Sequence, residues 1–209
     1  QSVQRAFDWE RWLHPSISFR VDVSGTSRGL PHSHFTALQV KNALVDFQRS
    51  LWSKRSDIEL IEPDLCFHLH LNNSGAVLSL DSSSRSLHRR GYRAAMGLAP
   101  LKENLAAGLI QKTGWDGTFP LVDPLCGSGT LLIEAVSCFL SLPAGLKRSF
   151  LFEAWPDFDQ NLWEEEKNRA KSKISLEKQI PAVIGCEQEP DIARQAKTNV
   201  AAAGLEKLI

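Results

Sequence analysis

Asp123-Pro124-Leu125-Cys126-Gly127-Ser128-Gly129-Thr130 is the stretch that decides the fold of this 209-residue chain. Residues 119–122, just before it, are an apolar run that suits a buried parallel strand. Apolar residues after it recur at helical spacing: Leu131, Leu132, Ala135, Val136 and Phe139. Glycines between a strand and a helix allow positive φ and a close approach to a ligand, and the first N–H groups of the helix attract negative charge. The stretch therefore predicts an α/β protein that holds a nucleotide-like ligand at this turn.

Two carboxylates follow apolar runs. Asp123 ends the first run and offers an acceptor to cationic or hydroxyl groups, while Glu187 ends a second run, residues 180–186. Residues 191–203 then have the spacing of a helix. An acid at the end of the second strand of a mononucleotide-binding half accepts hydrogen bonds from the ribose hydroxyls. Glu187 is our candidate for that role, and an exposed acid in a charged turn is the alternative.

Three motifs occur in a fixed order along the chain. They are Leu87-His88-Arg89-Arg90-Gly91-Tyr92-Arg93, then Ala99-Pro100-Leu101-Lys102-Glu103-Asn104-Leu105-Ala106, then the turn followed by Leu131-Leu132-Ile133-Glu134-Ala135. With them the chain resembles the THUMP-domain class of S-adenosylmethionine-dependent RNA methyltransferases, close to the bacterial 23S rRNA guanine-N2 methyltransferases of the K/L type. Proteins of this type are also named N6-adenine-specific DNA methylases on fold analogy.

The resemblance implies an α/β fold class with three parts. An α+β THUMP-like RNA-binding module covers residues 1–84, a basic linker covers 85–98, and a Rossmann-like class I methyltransferase domain covers 99–209. The cofactor implied is S-adenosyl-L-methionine. Its methionine end would lie against the turn, its ribose on Glu187, and the helix from Pro100 would close the pocket, although the charges of that helix could equally be solvated. The implied cofactor-binding residues are Pro100, Lys102, Glu103, Asp123, Pro124, Cys126, Gly127, Ser128, Gly129, Thr130, Glu187 and Gln188.

The acceptor side of the reaction has no motif in this chain. Methyl transfer to an exocyclic amine needs groups that align the nitrogen and take up its proton. In the family an Asn- or Asp-Pro-Pro-aromatic motif does this, but the chain has no Asn-Pro, and its one Asp-Pro is in the turn. We therefore expect a fragment, incomplete at both ends and inactive by itself, with about two strands of the methyltransferase sheet. A natural cofactor-binding remnant is the alternative.

The net charge of zero hides an asymmetry between the two halves. Residues 1–113 carry 14 basic and 10 acidic side chains, whereas residues 114–209 carry 10 and 14. A basic run with an aromatic residue can bind phosphate and stack a base, although a solvated linker has the same composition. The RNA-binding candidates are Arg85, His88, Arg89, Arg90, Tyr92 and Arg93.

Composition narrows the class of protein further. The chain is 43% hydrophobic and 23% charged, which is typical of a globular protein, and it has no apolar run of membrane length. Its four cysteines lack Cys-x-x-Cys spacing, so we expect neither zinc nor a disulfide framework, and a cytoplasmic location. His68 and His70 share one face of a predicted strand, but they have no third ligand nearby, and no metal is expected.

The first half has its own pattern of elements. Residues 18–23 alternate as in a strand, residues 35–52 have helical spacing, and residues 66–71 and 76–80 predict a hairpin. Residues 143–175 form a long crossover between the two predicted strands of the methyltransferase domain. We expect at least one of its tryptophans, Trp155 or Trp163, to pin it to the sheet. Its acidic and basic residues predict an exposed helix with Glu164–Asn168 and Glu165–Arg169 pairs.

The functional hypothesis is methylation of a guanine N2 amine in ribosomal RNA, with 23S rRNA the expected partner. A base within a helix would have to be extruded to reach the methyl group. Two alternatives stay open: a non-catalytic RNA-binding module with a vestigial cofactor site, and an adenine-N6 nucleic-acid methyltransferase.

Overall fold

The computed structural model of the protein describes residues 8–30, 32–94 and 100–209. The chain divides into two compact units, the first containing residues up to 84 together with 149–160. The second unit contains residues 85–148 and 161–209. The basic run expected to be a linker thus groups with the second unit, while residues 149–160, expected within the methyltransferase domain, group with the first.

The first unit is built on a three-stranded sheet in the order β1-β2-β3. Strand β1 pairs parallel to β2, and β2 pairs antiparallel to β3. The predicted strand, helix and hairpin are all confirmed, and Asn72 makes the hairpin turn because its Oδ1 accepts from the N–H groups of Ser74 and Gly75, both at 2.9 Å. The elements are α1 (Trp9–Trp12), β1 (Phe19–Gly25), α2 (Ser33–Trp52), β2 (Leu65–Asn72) and β3 (Gly75–Leu80).

Trp155 belongs to the core of this first unit. Its ring meets that of Trp12 edge to face, with centroids 5.1 Å apart, and Nη2 of Arg11 donates to the carbonyl of Pro156 at 3.4 Å. Trp155 therefore does not pin the crossover to the methyltransferase sheet, and of the two tryptophans expected to do so only Trp163 is left as a candidate. Trp155 follows the short 3-10 helix Leu151–Ala154 and packs, partly buried, against the hydrophobic core of the first unit.

The second unit has a two-stranded parallel sheet with helices. Its elements are α3 (Glu103–Thr113), β4 (Leu121–Asp123), α4 (Thr130–Phe139), α5 (Gln160–Lys171), β5 (Val183–Gly185) and α6 (Pro190–Ala203). Strands β4 and β5 pair with Asp123 opposite Gly185. Their carboxyl ends therefore meet at one edge, where α4 and α6 begin.

The strand predicted at residues 119–122, before the glycine turn, is only partly buried. Strand β4 begins at Leu121, and Phe119, expected within it, is 73% exposed. Val122 and its partner Ile184 are also exposed, because the helices α4 and α6 cover the other face of the sheet. That covered face packs the buried side chains Leu132, Ile133, Val136, Val183 and Val200.

Helix α5 is exposed, as its charges predict, and no described residue of it is fully buried. Its ion pairs have i,i+3 spacing, Glu164 with Lys167 and Glu166 with Arg169, in place of the two expected pairs.

Among the described residues, no helix combines the length and apolarity required to cross a bilayer.

Candidate functional site

The glycine turn is a bare helix N-terminus. Gly127 and Gly129 have φ of 54° and 80°, and Gly129 is the N-cap residue of α4 without any side-chain oxygen to cap it. A β-carbon at Gly129 would be strained at this φ and would lie 3.6 Å from the β-carbon of Ala196. The backbone N–H groups that open α4 consequently have no side-chain cap and are placed to receive an anionic or hydroxyl-bearing ligand.

Glu187 is drawn from the end of β5 to this turn. Its Oε2 accepts from the N–H group of Gly127 at 3.0 Å, and its Oε1 accepts from the N–H group of Glu189 at 3.0 Å. Two backbone bonds beyond the strands support this approach, Cys186 N–H to the Asp123 carbonyl and Cys126 N–H to the Cys186 carbonyl, each at 2.9 Å. A carboxylate has about four lone-pair sites, so Glu187 retains acceptor capacity for ribose hydroxyls.

Asp123 stands on the other side of the same turn. Its Oδ1 accepts from the N–H group of Leu125 at 3.1 Å, which shapes the first half of the turn. Burial, followed by the nearby carboxylates of Asp123 and Glu187, raises the pKa of the Cys126 thiol. The turn is thus lined by two acids and a protonated thiol, an acceptor-rich site.

Arg93, predicted to contact RNA, lies inside the second unit. Its Nε donates to Oε1 of Glu103 at 3.1 Å, and one terminal nitrogen donates to the carbonyl of Leu101 at 2.9 Å and to Oγ1 of Thr130 at 3.1 Å. The other terminal nitrogen donates to Oγ of Ser128 at 3.4 Å. Only 10% of the Arg93 side chain and 4% of the Glu103 side chain are exposed. Glu103, predicted to close the cofactor pocket, is therefore engaged with an internal cation.

Tyr92 and Arg90 also point inward, toward Glu134. The Tyr92 hydroxyl donates to Oε1 of Glu134 at 3.0 Å, and Nε of Arg90 lies 3.5 Å from Oε2. The tyrosine ring is 5% exposed, so the surface expected for stacking a base is absent in this conformation. The physical reason is that Glu134 is itself buried, and a buried carboxylate needs donors.

His88 completes the inward-facing part of the run. Its Nε2 is 4.0 Å from Oε2 of Glu103, and its Nδ1 is 2.8 Å from Oγ of Ser86. Arg85 and Arg89 have exposed side chains. RNA binding by this run stays a prediction, and its exposed cations are Arg85 and Arg89.

Asn199 ends the stretch Ala196-Lys197-Thr198-Asn199, which resembles the family but was given no predicted role. It is 1% exposed on α6; its Nδ2 donates to the carbonyl of Ser128 at 3.1 Å, and its Oδ1 accepts from the N–H group of Ala94 at 3.1 Å. The signal available in the sequence was its position three residues after Ala196, on the apolar face of the helix. A polar residue on such a face must find partners inside the protein.

The predicted cofactor-binding residues differ in exposure, and Glu103, Gly129 and Thr130 are buried. Those half-buried beside the turn are Asp123, Cys126, Gly127, Ser128 and Glu187, while those exposed are Pro100, Lys102, Pro124 and Gln188. Lys102 is the N-cap residue of α3 and makes no side-chain cap. Cofactor contacts of all these residues stay predictions.

His68 and His70 lie on strand β2 and face strand β1. Nδ1 of His70 lies 2.9 Å from Oγ of Ser24 on the neighbouring strand, and His68 stands opposite Asp22. Within the ranges that the structure describes, no group of three His, Cys, Asp or Glu side chains is arranged to hold a metal ion.

Family models match almost the whole chain. The RMKL-like methyltransferase domain matches residues 90–209, and the THUMP domain matches residues 3–81. The chain belongs to the RMKL-like methyltransferase family and carries a THUMP domain before its Rossmann-like domain, so the predicted fold class is confirmed.

Two relatives show the same membership. A protein of Synechocystis sp., provisionally named an RNA methyltransferase, is 43% identical over 196 residues, which are 93% of this chain and 51% of that protein. The ribosomal RNA large subunit methyltransferase K/L of Vibrio campbellii is 38% identical over 207 residues, 98% of this chain and 29% of that protein. The chain thus spans about half the length of the first relative and less than a third of the second.

Two solved structures have the same fold. A predicted N6-adenine-specific DNA methylase from Listeria monocytogenes is 28% identical with a TM-score of 0.82, over 100% of this chain and 55% of that one. The protein SMU.472, complexed with SAH, is 29% identical with a TM-score of 0.82, over 97% of this chain and 54% of that one. The expectation that some relatives carry a DNA methylase name is confirmed.

Proposed function

We propose that the protein transfers a methyl group from S-adenosylmethionine to the N2 amine of a guanine in ribosomal RNA, with 23S rRNA as the substrate. The observation that carries the proposal is the 3.0 Å bond between Glu187 and the Gly127 N–H group, which joins a strand-end acid to a bare glycine turn. Family membership and the K/L relatives support the RNA substrate. The SAH complex of SMU.472 supports the cofactor.

The residues at the turn fit this cofactor. The uncapped N–H groups at the start of α4 suit its carboxylate, and the remaining acceptor sites of Glu187 suit its ribose hydroxyls. When bound, S-adenosylmethionine supplies an electrophilic methyl group. The chain contributes orientation, since the acids and the glycine backbone hold the ligand in one pose, and catalysis rests on proximity to the acceptor amine.

The family's acceptor motif does not occur in these 209 residues. The chain has no Asn-Pro and no second Asp-Pro, and its relatives are about two to three times longer. We propose that a motif beyond residue 209 aligns the guanine amine and takes up its proton, and that residues 1–209 alone are inactive.

RNA is proposed to bind through the THUMP domain and the exposed cations of the basic run. The THUMP match covers residues 3–81, and Arg85 and Arg89 are exposed. Phosphate contacts by such cations would position the RNA, and the target base would leave its helix to reach the methyl group.

Calorimetric titration with S-adenosylmethionine tests the cofactor site. We expect the chain to bind it and Glu187→Gln to weaken binding by about 10-fold to 100-fold, the worth of one to two charge-assisted hydrogen bonds. Glu189→Gln is the control, because this neighbouring carboxylate is exposed. Absence of binding by the unaltered chain would leave the RNA-binding module as the better account.

Methyl transfer by the complete reading frame tests the substrate. Labelled cofactor is offered with ribosomal RNA and with DNA in parallel, and the modified nucleosides are identified after digestion. N2-methylguanine in RNA supports the proposal. N6-methyladenine in either nucleic acid would overturn it.

A further inference from the structure

We infer that Arg93 and Asn199 are positioning residues that hold the glycine turn in its ligand-binding conformation; this inference rests on the proposed function of that turn. Neither residue was assigned to the cofactor site by the sequence motifs. Together they contact the turn from two directions, one from the run before α3 and the other from α6.

Arg93 joins the two sides of the candidate pocket. On the side of α3 its guanidinium donates to Glu103 and to the carbonyl of Leu101, at 3.1 and 2.9 Å. On the side of the turn it donates to Thr130 and Ser128, at 3.1 and 3.4 Å. A guanidinium has five donors in a fixed plane, so one side chain can set the spacing of four acceptors, which a lysine ammonium cannot reproduce.

Asn199 fixes the backbone of the same turn. The Ser128 carbonyl accepts from Nδ2 of Asn199 while the Ser128 hydroxyl accepts from Arg93, so the carbonyl and the hydroxyl of this residue are each held by a hydrogen bond. The other end of the Asn199 amide accepts from the N–H group of Ala94, the residue next to Arg93. The two supports are therefore linked through adjacent residues of one segment.

Simple stabilisation of α4 does not account for Arg93. A cation near a helix N-terminus is opposed by the helix dipole, and here Glu103 offsets its charge. The bonds of Arg93 and Asn199 instead hold the glycine turn in one conformation before a ligand binds. Preorganisation of this kind lowers the ordering cost of binding and so raises affinity.

Arg90 offers a matched control for Arg93. It too is an arginine paired with a buried glutamate of the same unit, at 3.5 Å from Glu134, but no hydrogen bond joins its described side chain to residues of the turn. Loss of either arginine removes a buried ion pair. Only loss of Arg93 removes bonds to the turn.

The test measures the dissociation constant for S-adenosylmethionine together with amide hydrogen exchange of the ligand-free chain. For Arg93→Ala and for the isosteric Asn199→Asp, we expect at least about tenfold weaker binding, the worth of one lost hydrogen bond to a charged or buried group. We also expect faster exchange at Gly127–Thr130, with the protection of Ile133 and Val136 in α4 retained. Arg93→Lys should recover thermal stability but not affinity, because it restores the charge and not the fork of donors.

Each outcome decides between roles. Equal loss of affinity in Arg90→Ala and Arg93→Ala would overturn the inference in favour of general stabilisation. Weaker binding without faster exchange in the turn would also overturn it, since Arg93 would then be a ligand contact. If the unaltered chain binds no S-adenosylmethionine, the proposed function fails, and hydrogen exchange in the turn alone decides whether the two residues position it.

Discussion

The hydroxyl group of Tyr92 donates to Oε1 of Glu134 at 3.0 Å, and both residues are at least 95% buried. Tyr92 belongs to the basic run that was predicted to bind RNA, but this bond joins it to Glu134 on α4 inside the second unit. Burial and the adjacent Glu134 carboxylate raise the pKa of Tyr92, so its hydroxyl is a donor at every physiological pH. The aromatic member of the run is thereby committed to the protein interior.

Tyr92→Phe should destabilise the second unit by about 1–3 kcal/mol, the usual cost of leaving a buried polar group without a partner. The ring still fills its space, so the loss comes from the Glu134 carboxylate alone. Urea denaturation followed by circular dichroism measures it. An unchanged midpoint would mean that Glu134 finds another donor.

Glu134 should make stability depend on pH. Its burial raises its pKa above the ordinary 4.5, although Arg90 and Tyr92 act in the opposite direction. The folded state then holds this proton more tightly than the unfolded state, so stability falls as pH rises from the ordinary value through the raised one. We expect the stability of the unaltered chain relative to Glu134→Gln to decrease over that range, as measured by urea midpoints at a series of pH values. A difference that grows with pH would contradict the raised pKa.

Gln48 should be a stability determinant of the first unit. It is completely buried, its Nε2 donates to the carbonyl of Leu13 at 2.8 Å, and its Oε1 accepts from the N–H group of Ser56 at 2.9 Å. Gln48→Leu leaves both groups buried without a partner and should cost about 2–4 kcal/mol. Tryptophan fluorescence during urea denaturation reports on this core, which contains Trp9 and Trp12. Gln111→Leu is the control, because Gln111 is exposed on α3.

Cys126 should react with iodoacetamide more slowly than Cys186. Cys186 is exposed, whereas Cys126 is half-buried and its raised pKa lowers its fraction of reactive thiolate. Peptide mass spectrometry after timed alkylation measures both sites. In denaturant the two rates should become similar, and earlier modification of Cys126 in the folded chain would contradict the described turn.

Arg85→Gln and Arg89→Gln should each weaken RNA binding uniformly across sequences. If each arginine neutralises one phosphate, the dependence of log affinity on log salt should fall by about 1 per substitution. Filter binding at a series of salt concentrations measures the slope. Lys112→Gln is the control, because this exposed lysine of α3 lies outside the THUMP domain and the basic run. An unchanged slope for both arginine variants would place the RNA elsewhere.

Much of the fold follows from local patterns. The strand Phe19–Gly25 and the helix Ser33–Trp52 match the hydrophobic periodicity, and the hairpin after Leu65 matches the turn signal Asn72-Asn73-Ser74-Gly75. These features depend on residues close together in the chain, so sequence patterns report them well. The start of β4 was misplaced because an apolar run does not show which of its residues has a pairing strand.

The sequence by itself determined the glycine turn, the acid at the end of the following strand and the family to which the chain belongs. These depend on residue types at short spacings, such as Gly127 and Gly129 between a strand and a helix. Only the tertiary structure decided that Arg93, Tyr92 and Asn199 face inward. Their partners Glu103, Glu134 and Ser128 lie 10, 42 and 71 residues away. A basic or hydroxyl side chain occurs both on a solvated surface and beside a buried carboxylate, so its residue type does not show which of the two it faces. Only the burial of its partner distinguishes them.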